Sequence, residues 1–417
     1  MHLGRARRRC TVPDHESIGD RLREIRRRRG MTQEEVAHAA NLSVGVVKKI
    51  EQGGSARLET LHQLARALGV VTLTFVGSTS PEPREADHDE AVLSDIRSAI
   101  NPPLGLSGRP VYGTADGDEL DLARLNRAVN AMTDAYHSDR YDRLAGFLPA
   151  LIRSAHHHVE GGGEAQRGET LRTRANIVGL AGRYLIQVRA HDLALVALHM
   201  SLRDALEIGD TPLAAAAVSG QAHAMLRQGR FDEVERLCAS TAQELEPQIS
   251  KATPDQLAAW GWMLLRASAA AARNNRPHEA REYIGMAAAA AGPLHREHKT
   301  VDSKTFGPTT VALKSAENAL VGGNPSKTLE LSASLTRDAN MTGEEWDRHL
   351  LDEARAHVQT NDPDKAVGLL LDIRQRSPQW LRYQQMARDT VRDVITLRVR
   401  SLTEHQRQLA DFMGIQE

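Results

Sequence analysis

Residues 32–53, TQEEVAHAANLSVGVVKKIEQG, limit the fold most tightly, because this short stretch carries the start signals of two helices and the turn between them. Thr32 and Glu35 form a T-x-x-E capping box, which predicts a helix from Gln33 to about Ala40. Val36, Ala37 and Ala40 fall on its apolar side. Asn41-Leu42 makes the turn, and Ser43 suits the N-cap of a second helix from Val44 to about Gln52. Val47 and Ile50, three apart, share the inward face of that helix. Lys48, Lys49 and Gln52 are left for solvent or a partner. A capped helix, a tight turn and a second helix with a polar, basic outer face is the arrangement that enters the DNA major groove.

The flanking residues complete a small helical unit. Ile18, Leu22 and Ile25 recur at i, i+4 and i+7 and predict a helix over 18–29, which Gly30 is placed to end. Leu61, Leu64, Ala65 and Leu68 predict another over about 58–68. VVTLTFVG at 70–77 is ambiguous: its β-branched residues favour a strand, whereas a fifth short helix would pack the unit better.

The order IGDRLREIRRRRGMTQEEVAHAANLSVGVVKKIEQG followed by LETLHQLARALGV resembles the helix-turn-helix family of phage repressors and xenobiotic-response regulators. The resemblance implies a five-helix head over residues 15–77 that binds double-stranded operator DNA. It assigns Gln33 to a phosphate at the helix N-terminus, Val44, Gly45 and Lys49 to base edges, and Lys48 and Gln52 to the backbone, with Ser43 at the turn. Free N–H groups at a helix N-terminus and basic side chains on an exposed helix serve phosphate independently of any family. Gly45 is a departure, since it has no side chain with which to read a base. Val44 reaches only apolar edges such as a thymine methyl, so Lys49 and DNA shape must carry more of the specificity.

Charge supports the same direction. The chain has 45 Arg but only 8 Lys, and two of those lysines are adjacent on the second helix. Residues 1–77 hold 14 Lys+Arg against 8 Asp+Glu, and the rest 39 against 46, so a basic head precedes an acidic body. The arginine-rich arm at 1–14 suits the minor groove, a disordered tail or a misassigned start equally. Cys10 and Cys238 form neither a disulfide framework nor a metal knuckle. The absence of a secretory h-region or a membrane-length apolar run leads to an expectation of a cytoplasmic, nucleoid-associated protein without a membrane partner. The Arg and Ala bias suggests a high-GC bacterium.

Residues 78–120 read as a polar, proline-interrupted linker with one isolated helix near 91–100, and 121–417 read as almost wholly helical. Within the latter, SDRYDRLAGFL, VRAHDLALVAL, RQGRFDEVERL, RNNRPHEAREYI, VGGNPSKTLEL and QTNDPDKAVGLL share a plan of small or polar turn, polar residue and amphipathic helix. Asp142, Asp192, Asp232, His278, Ser326 and Asp364 mark it at intervals of 38–50 residues. GRFDEV and DPDKAV resemble tetratricopeptide corners, with several anchor residues missing. The fold class expected is therefore all-α, a repressor-like head joined to an α-solenoid of degenerate tetratricopeptide-like hairpins. The resemblance implies that such a solenoid dimerises and binds a peptide or small-molecule effector on its concave face.

Catalytic and metal chemistry find little support. His156-His157-His158 point about 100° apart on a helix, so at most two share an ion, and a solvated helix end is the expectation. HREH at 295–298 lacks zincin spacing, and neither a phosphate loop nor a nucleophile elbow is present. No enzyme activity, cofactor or metal is expected. Trp260, Trp262, Trp346, Trp380 and Tyr383 suit gap-filling between helices better than a ligand groove. A different class of function, a protein-interaction scaffold whose head is vestigial or a docking module, stays open.

Overall fold

The computed structural model describes residues 18–54, 56, 58–68, 86–106, 121–397 and 401–415. The chain divides into two compact units, Met1–Pro81 and Glu82–Glu417. The first contains α1 (Ile18–Arg28), α2 (Gln33–Ala39), α3 (Val44–Glu51) and α4 (Leu58–Leu68). Residues 70–77, where a strand or a fifth helix was in question, lie outside the described residues, as does the arm at 1–14. Gly30 ends α1 in the left-handed region at φ 67°, as its position required. Leu22, Val36, Ala37, Val47, Ile50, Leu61, Leu64 and Leu68 form one core.

The second unit opens with α5 (Ala86–Ile100), the helix the sequence placed alone in a linker. It is not isolated: Ile96, Ala99 and Ile100 are buried in the main core of this unit, against α7 and α9 introduced below. Their spacing gives α5 an apolar stripe, and burying it is worth more than leaving a lone helix in water.

Six helical hairpins follow among the described residues: α6 (Leu122–His137) with α7 (Tyr141–Gly161), α8 (Arg167–Gln187) with α9 (His191–Glu207), α10 (Thr211–Arg227) with α11 (Phe231–Leu245), α12 (Pro254–Arg273) with α13 (Pro277–Ala291), α14 (Pro308–Val321) with α15 (Pro325–Ser332), and α16 (Gly343–Gln359) with α17 (Pro363–Arg376). Each first helix also packs on the next first helix, and each second helix on the following hairpin, which makes the stack an α-solenoid.

One turn recurs through all six. The residue two before each second helix is left-handed: Asp139, Arg189, Gly229, Asn275, Gly323 and Asn361 have φ between 57° and 78°. The next residue donates its N–H to a carbonyl five back, as in Arg230 to Met225 and Asp362 to His357. These are Schellman turns, which satisfy the last carbonyls of the first helix while reversing the chain. The six sequence markers all occupy the second position of the second helix. Alanine sets the spacing within the fourth hairpin, where Ala267, Ala270 and Ala271 of α12 and Ala287, Ala290 and Ala291 of α13 are buried.

Two features lay outside the helical expectation. Residues 298–306 form a short antiparallel hairpin, β1 (His298–Lys299) and β2 (Thr305–Phe306). Phe306 is fully buried in the core around α12, and Trp262 donates its indole N–H to the Thr305 carbonyl at 3.1 Å. Glu297 accepts from the Thr309 and Thr310 amides at 2.9 and 3.1 Å, which caps α14.

Second, the solenoid closes on itself. After α17 come α18 (Pro378–Arg382), α19 (Gln385–Thr396) and α20 (Glu404–Phe412). Asp139, in the first turn, accepts the Gln379 and Trp380 amides at 2.7 and 2.5 Å. Gln379 also exchanges hydrogen bonds with Asp142, and Tyr141 lies 6.5 Å from Tyr383 between ring centroids. Helices α6–α9 and α16–α20 consequently share a single core.

Candidate nucleic-acid interface

The capping box forms as its residue types demand. The Thr32 hydroxyl accepts from the Glu35 amide at 3.1 Å, and the Glu35 carboxylate accepts from the Thr32 amide at 2.7 Å. The Thr32 amide and hydroxyl, both donating to it, hold the Glu35 carboxyl below the usual range. Asn41 takes φ 53° at the turn, and α3 then runs with Val47 and Ile50 buried and Lys48, Lys49 and Gln52 exposed. Ser43 stands at the N-cap in extended conformation, but its hydroxyl makes no capping bond, so it holds that position through backbone shape alone. Gly45 is exposed, and Val44 is half-buried against the core. Ser43, Gly45, Lys48, Lys49 and Gln52 are thus exposed along α3, with Val44 at the edge of that surface.

Gln33 is placed differently from the rest. It stands at the first position of α2, half-buried, and its amide donates to the Glu51 carboxylate at 2.7 Å. That bond ties the amide to a carboxylate of α3.

Glu51, which stands in the sequence in the Ile50-Glu51 pair before Gly53, was given no role there. It is 3% exposed and anchors α3 to the two preceding helices. Arg26 of α1 gives it two hydrogen bonds, at 2.6 and 3.1 Å, and Arg23 lies 3.6 Å away while also donating to the Glu51 backbone carbonyl. Burial alone raises a carboxyl pKa, but the bonds from Arg26 and Gln33 and the charges of Arg26 and Arg23 outweigh it and hold Glu51 below the usual glutamate range. The carboxylate thereby ties α3 to α1 and α2. A glutamate after an isoleucine at the end of an apolar stripe, preceded by arginines on α1, was the signal available.

The histidine run is also different from its expectation of a solvated helix end. His156 and His158 are buried and only His157 is exposed. His158 Nδ1 lies 2.8 Å from the Ser154 carbonyl. Burial and the nearby Arg174 push His156 down to about 4. The apolar stripe of α7 continues through Ala155, so these two rings are carried into the core. No cluster of three or more His, Cys, Asp or Glu with metal-binding geometry occurs among the described residues.

Residues 22–76 match the family model described as helix-turn-helix. The match contains α2 and α3 whole and leaves the helical body outside it. No curated protein matches the chain. No helix among the described residues is long and apolar enough to cross a membrane.

Proposed function

We propose that the chain is a sequence-specific transcriptional regulator that presents α3 to the major groove of operator DNA. The observation carrying this reading is the helix-turn-helix match over 22–76, together with an α3 whose apolar side is buried and whose Lys48, Lys49 and Gln52 are exposed. Lys48 and Lys49 supply charge to phosphate and base edge, and Ser43, Val44 and Gly45 let the helix approach closely. Gln33 holds a phosphate once its amide leaves Glu51. The six-hairpin body is read as a degenerate tetratricopeptide array that pairs two copies of the chain and senses a peptide or small-molecule signal. Two heads related by a two-fold axis fit a pseudo-palindromic site. The protein then works in the cytoplasm, on the nucleoid, without catalysis of its own.

Titrating DNA binding against salt tests the core of this reading. The Lys48→Ala, Lys49→Ala variant is expected to bind more weakly and to flatten the slope of log K against log salt by about 1 with Lys48 alone on phosphate and by about 2 if both lysines contact it, since each phosphate contact contributes about 0.9. A slope identical to the parent's rules out this docking face and favours a scaffold with a vestigial head.

A further inference from the structure

The closure of the solenoid brings its returning end against its inner face. A cavity of about 320 Å³ lies against it, walled by α6, α8, α10, α12, α14 and α16, by the β1–β2 hairpin and by α18 and α19. Its size is at the lower end of the ~300–1,000 Å³ typical of small-molecule sites. Trp380 of α18, held by Asp139 at the seam, and Lys304 of the hairpin at 298–306 both line it.

The charge of the wall is one-sided. Several of its cations are already matched: Arg273 and Lys314 pair with Glu317 at 2.5 and 2.8 Å, Arg348 lies 3.4 Å from Asp352, and Lys304 pairs with Asp302 at 2.9 Å. Of the wall's other carboxylates, Glu345 is engaged with Thr305, and Glu344 meets His137 through one oxygen while its second, buried oxygen has no hydrogen-bond partner. Three guanidiniums have no carboxylate within ion-pair distance among the described residues, although Arg183 is close enough to help hold the Asp302 carboxyl down. Arg183 stands over the Tyr136 ring at 5.7 Å, and its buried Nε has no hydrogen-bond partner. Arg266 lies over Trp262 at 5.1 Å and reaches only the Ser219 hydroxyl, at 3.3 Å. Arg227 reaches only the side-chain oxygen of Gln384, at 3.4 Å. Surrounding protein, with Arg348 and Arg273 nearby, pulls Arg227 down to about 9, which is a measure of how poorly its charge is met. Concentrating unmatched guanidiniums costs stability unless an anion completes the set.

We propose that this cavity binds a small amphiphilic anion, its carboxylate or phosphate held by Arg183, Arg227 and Arg266 and its apolar body lying against Leu226, Leu265 and Met386. The planar guanidinium fork matches either headgroup bidentately, and the apolar wall rewards a hydrocarbon or aromatic remainder. Since residues of α8, α10, α12 and α19 meet at one ligand, the anion ties the middle of the solenoid to its returning end. The inference deepens the signal-sensing role proposed above, and rests on that role only for its regulatory consequence.

Calorimetry on the full chain tests it with three probes of similar bulk: phenyl phosphate, phenylacetate and neutral benzyl alcohol. At least one anion is expected to bind tenfold or more tightly than the alcohol, and the comparison of the two anions identifies the preferred headgroup. Arg227→Gln with Arg266→Gln is expected to lose about tenfold or more in anion affinity per arginine, from the worth of a charge-assisted hydrogen bond. The same variant, relieved of unmatched charge, is expected to melt no lower than the parent when ligand-free, whereas a purely structural role lowers its Tm. Arg183→Gln, on a different helix, repeats the affinity comparison should the double variant misfold. Equal binding of alcohol and anions, no binding of either anion, or anion affinity untouched by the substitutions overturns the proposal. Anion binding that leaves DNA affinity unchanged keeps the site and removes its regulatory consequence. Absence of anion binding with DNA affinity intact removes the site alone.

Discussion

Glu51 shows how one buried carboxylate can decide what an exposed surface does. Lys48, Lys49 and Gln52 point outward only because Val47, Ile50 and Glu51 point inward, and Glu51 is the member that fixes direction as well as depth. Arg26 and Gln33 reach it from two different helices, so its loss loosens all three at once. Glu51→Gln removes the charge that both donors share. It is expected to cost the head about 1.5–3 kcal/mol at neutral pH, the range for hydrogen bonds to charged groups. Hydrogen exchange of the α1–α3 amides in the full chain reads this cost directly. Because the folded head holds Glu51 below its ordinary pKa, the carboxylate's contribution is fully present above the pH where an unfolded glutamate ionises. It is lost as the pH falls through the folded-state value. Parent and variant should therefore converge in stability toward acid pH, and a gap that stays constant contradicts this account of Glu51.

At the scale of elements, the β1–β2 hairpin depends on an absence. A Cβ on Gly261 would overlap the Phe306 ring, so only glycine lets the hairpin seat on α12. Gly261→Ala is expected to cost about 1–3 kcal/mol through overpacking, to raise exchange over 298–306 and to perturb the Trp262 indole bonded to Thr305. Unchanged exchange in the hairpin contradicts the seating described here. Neither this hairpin nor its glycine was legible beforehand, because strands of two residues carry no alternation and Gly261 sits mid-helix with no turn to announce it. The hairpin repeats were legible, because each turn forces one residue into the left-handed region and the chain uses Gly, Asn or Asp at five of the six positions. Arg189 is the sixth, in VRAHDLALVAL, whose turn offers none of these residues at that position. The helix pair at 32–53 was read at nearly its observed bounds, since caps and core spacing are local. The amide of Gln33 turning to Glu51 was not, because that bond joins positions 18 residues apart in a way no local pattern encodes.

For the whole molecule, the closure of the solenoid matters most for function, and it is also the least local feature of the chain. Its bonds join residues some 240 positions apart, as from Asp139 to Trp380, so turn chemistry and periodicity are silent about it. Two kinds of interaction hold the seam, and their sizes predict which one controls it. Asp139 supplies two charge-assisted bonds to the first amides of α18, each worth about 1.5–3 kcal/mol, but its carboxyl is itself disfavoured there: burial pushes it up to about 6 against those donors. Trp380 is 3% exposed in the shared core, and truncating a buried aromatic costs about 3–5 kcal/mol with no compensating relief of charge. Asp139→Ala is accordingly expected to speed exchange at the Gln379 and Trp380 amides while Tyr383, Gln384 and α19 stay protected. Trp380→Ala is expected to release 378–385 as a unit. Because Trp380 also lines the cavity, it should weaken anion binding as strongly as loss of one of the three arginines. The opposite ranking, with Asp139 controlling the whole seam, would mean that polar capping and not apolar packing closes the solenoid. An effector that grips Arg227 beside Gln384 then acts on the weaker of the two bonds, and its leverage on the rest of the solenoid shrinks accordingly.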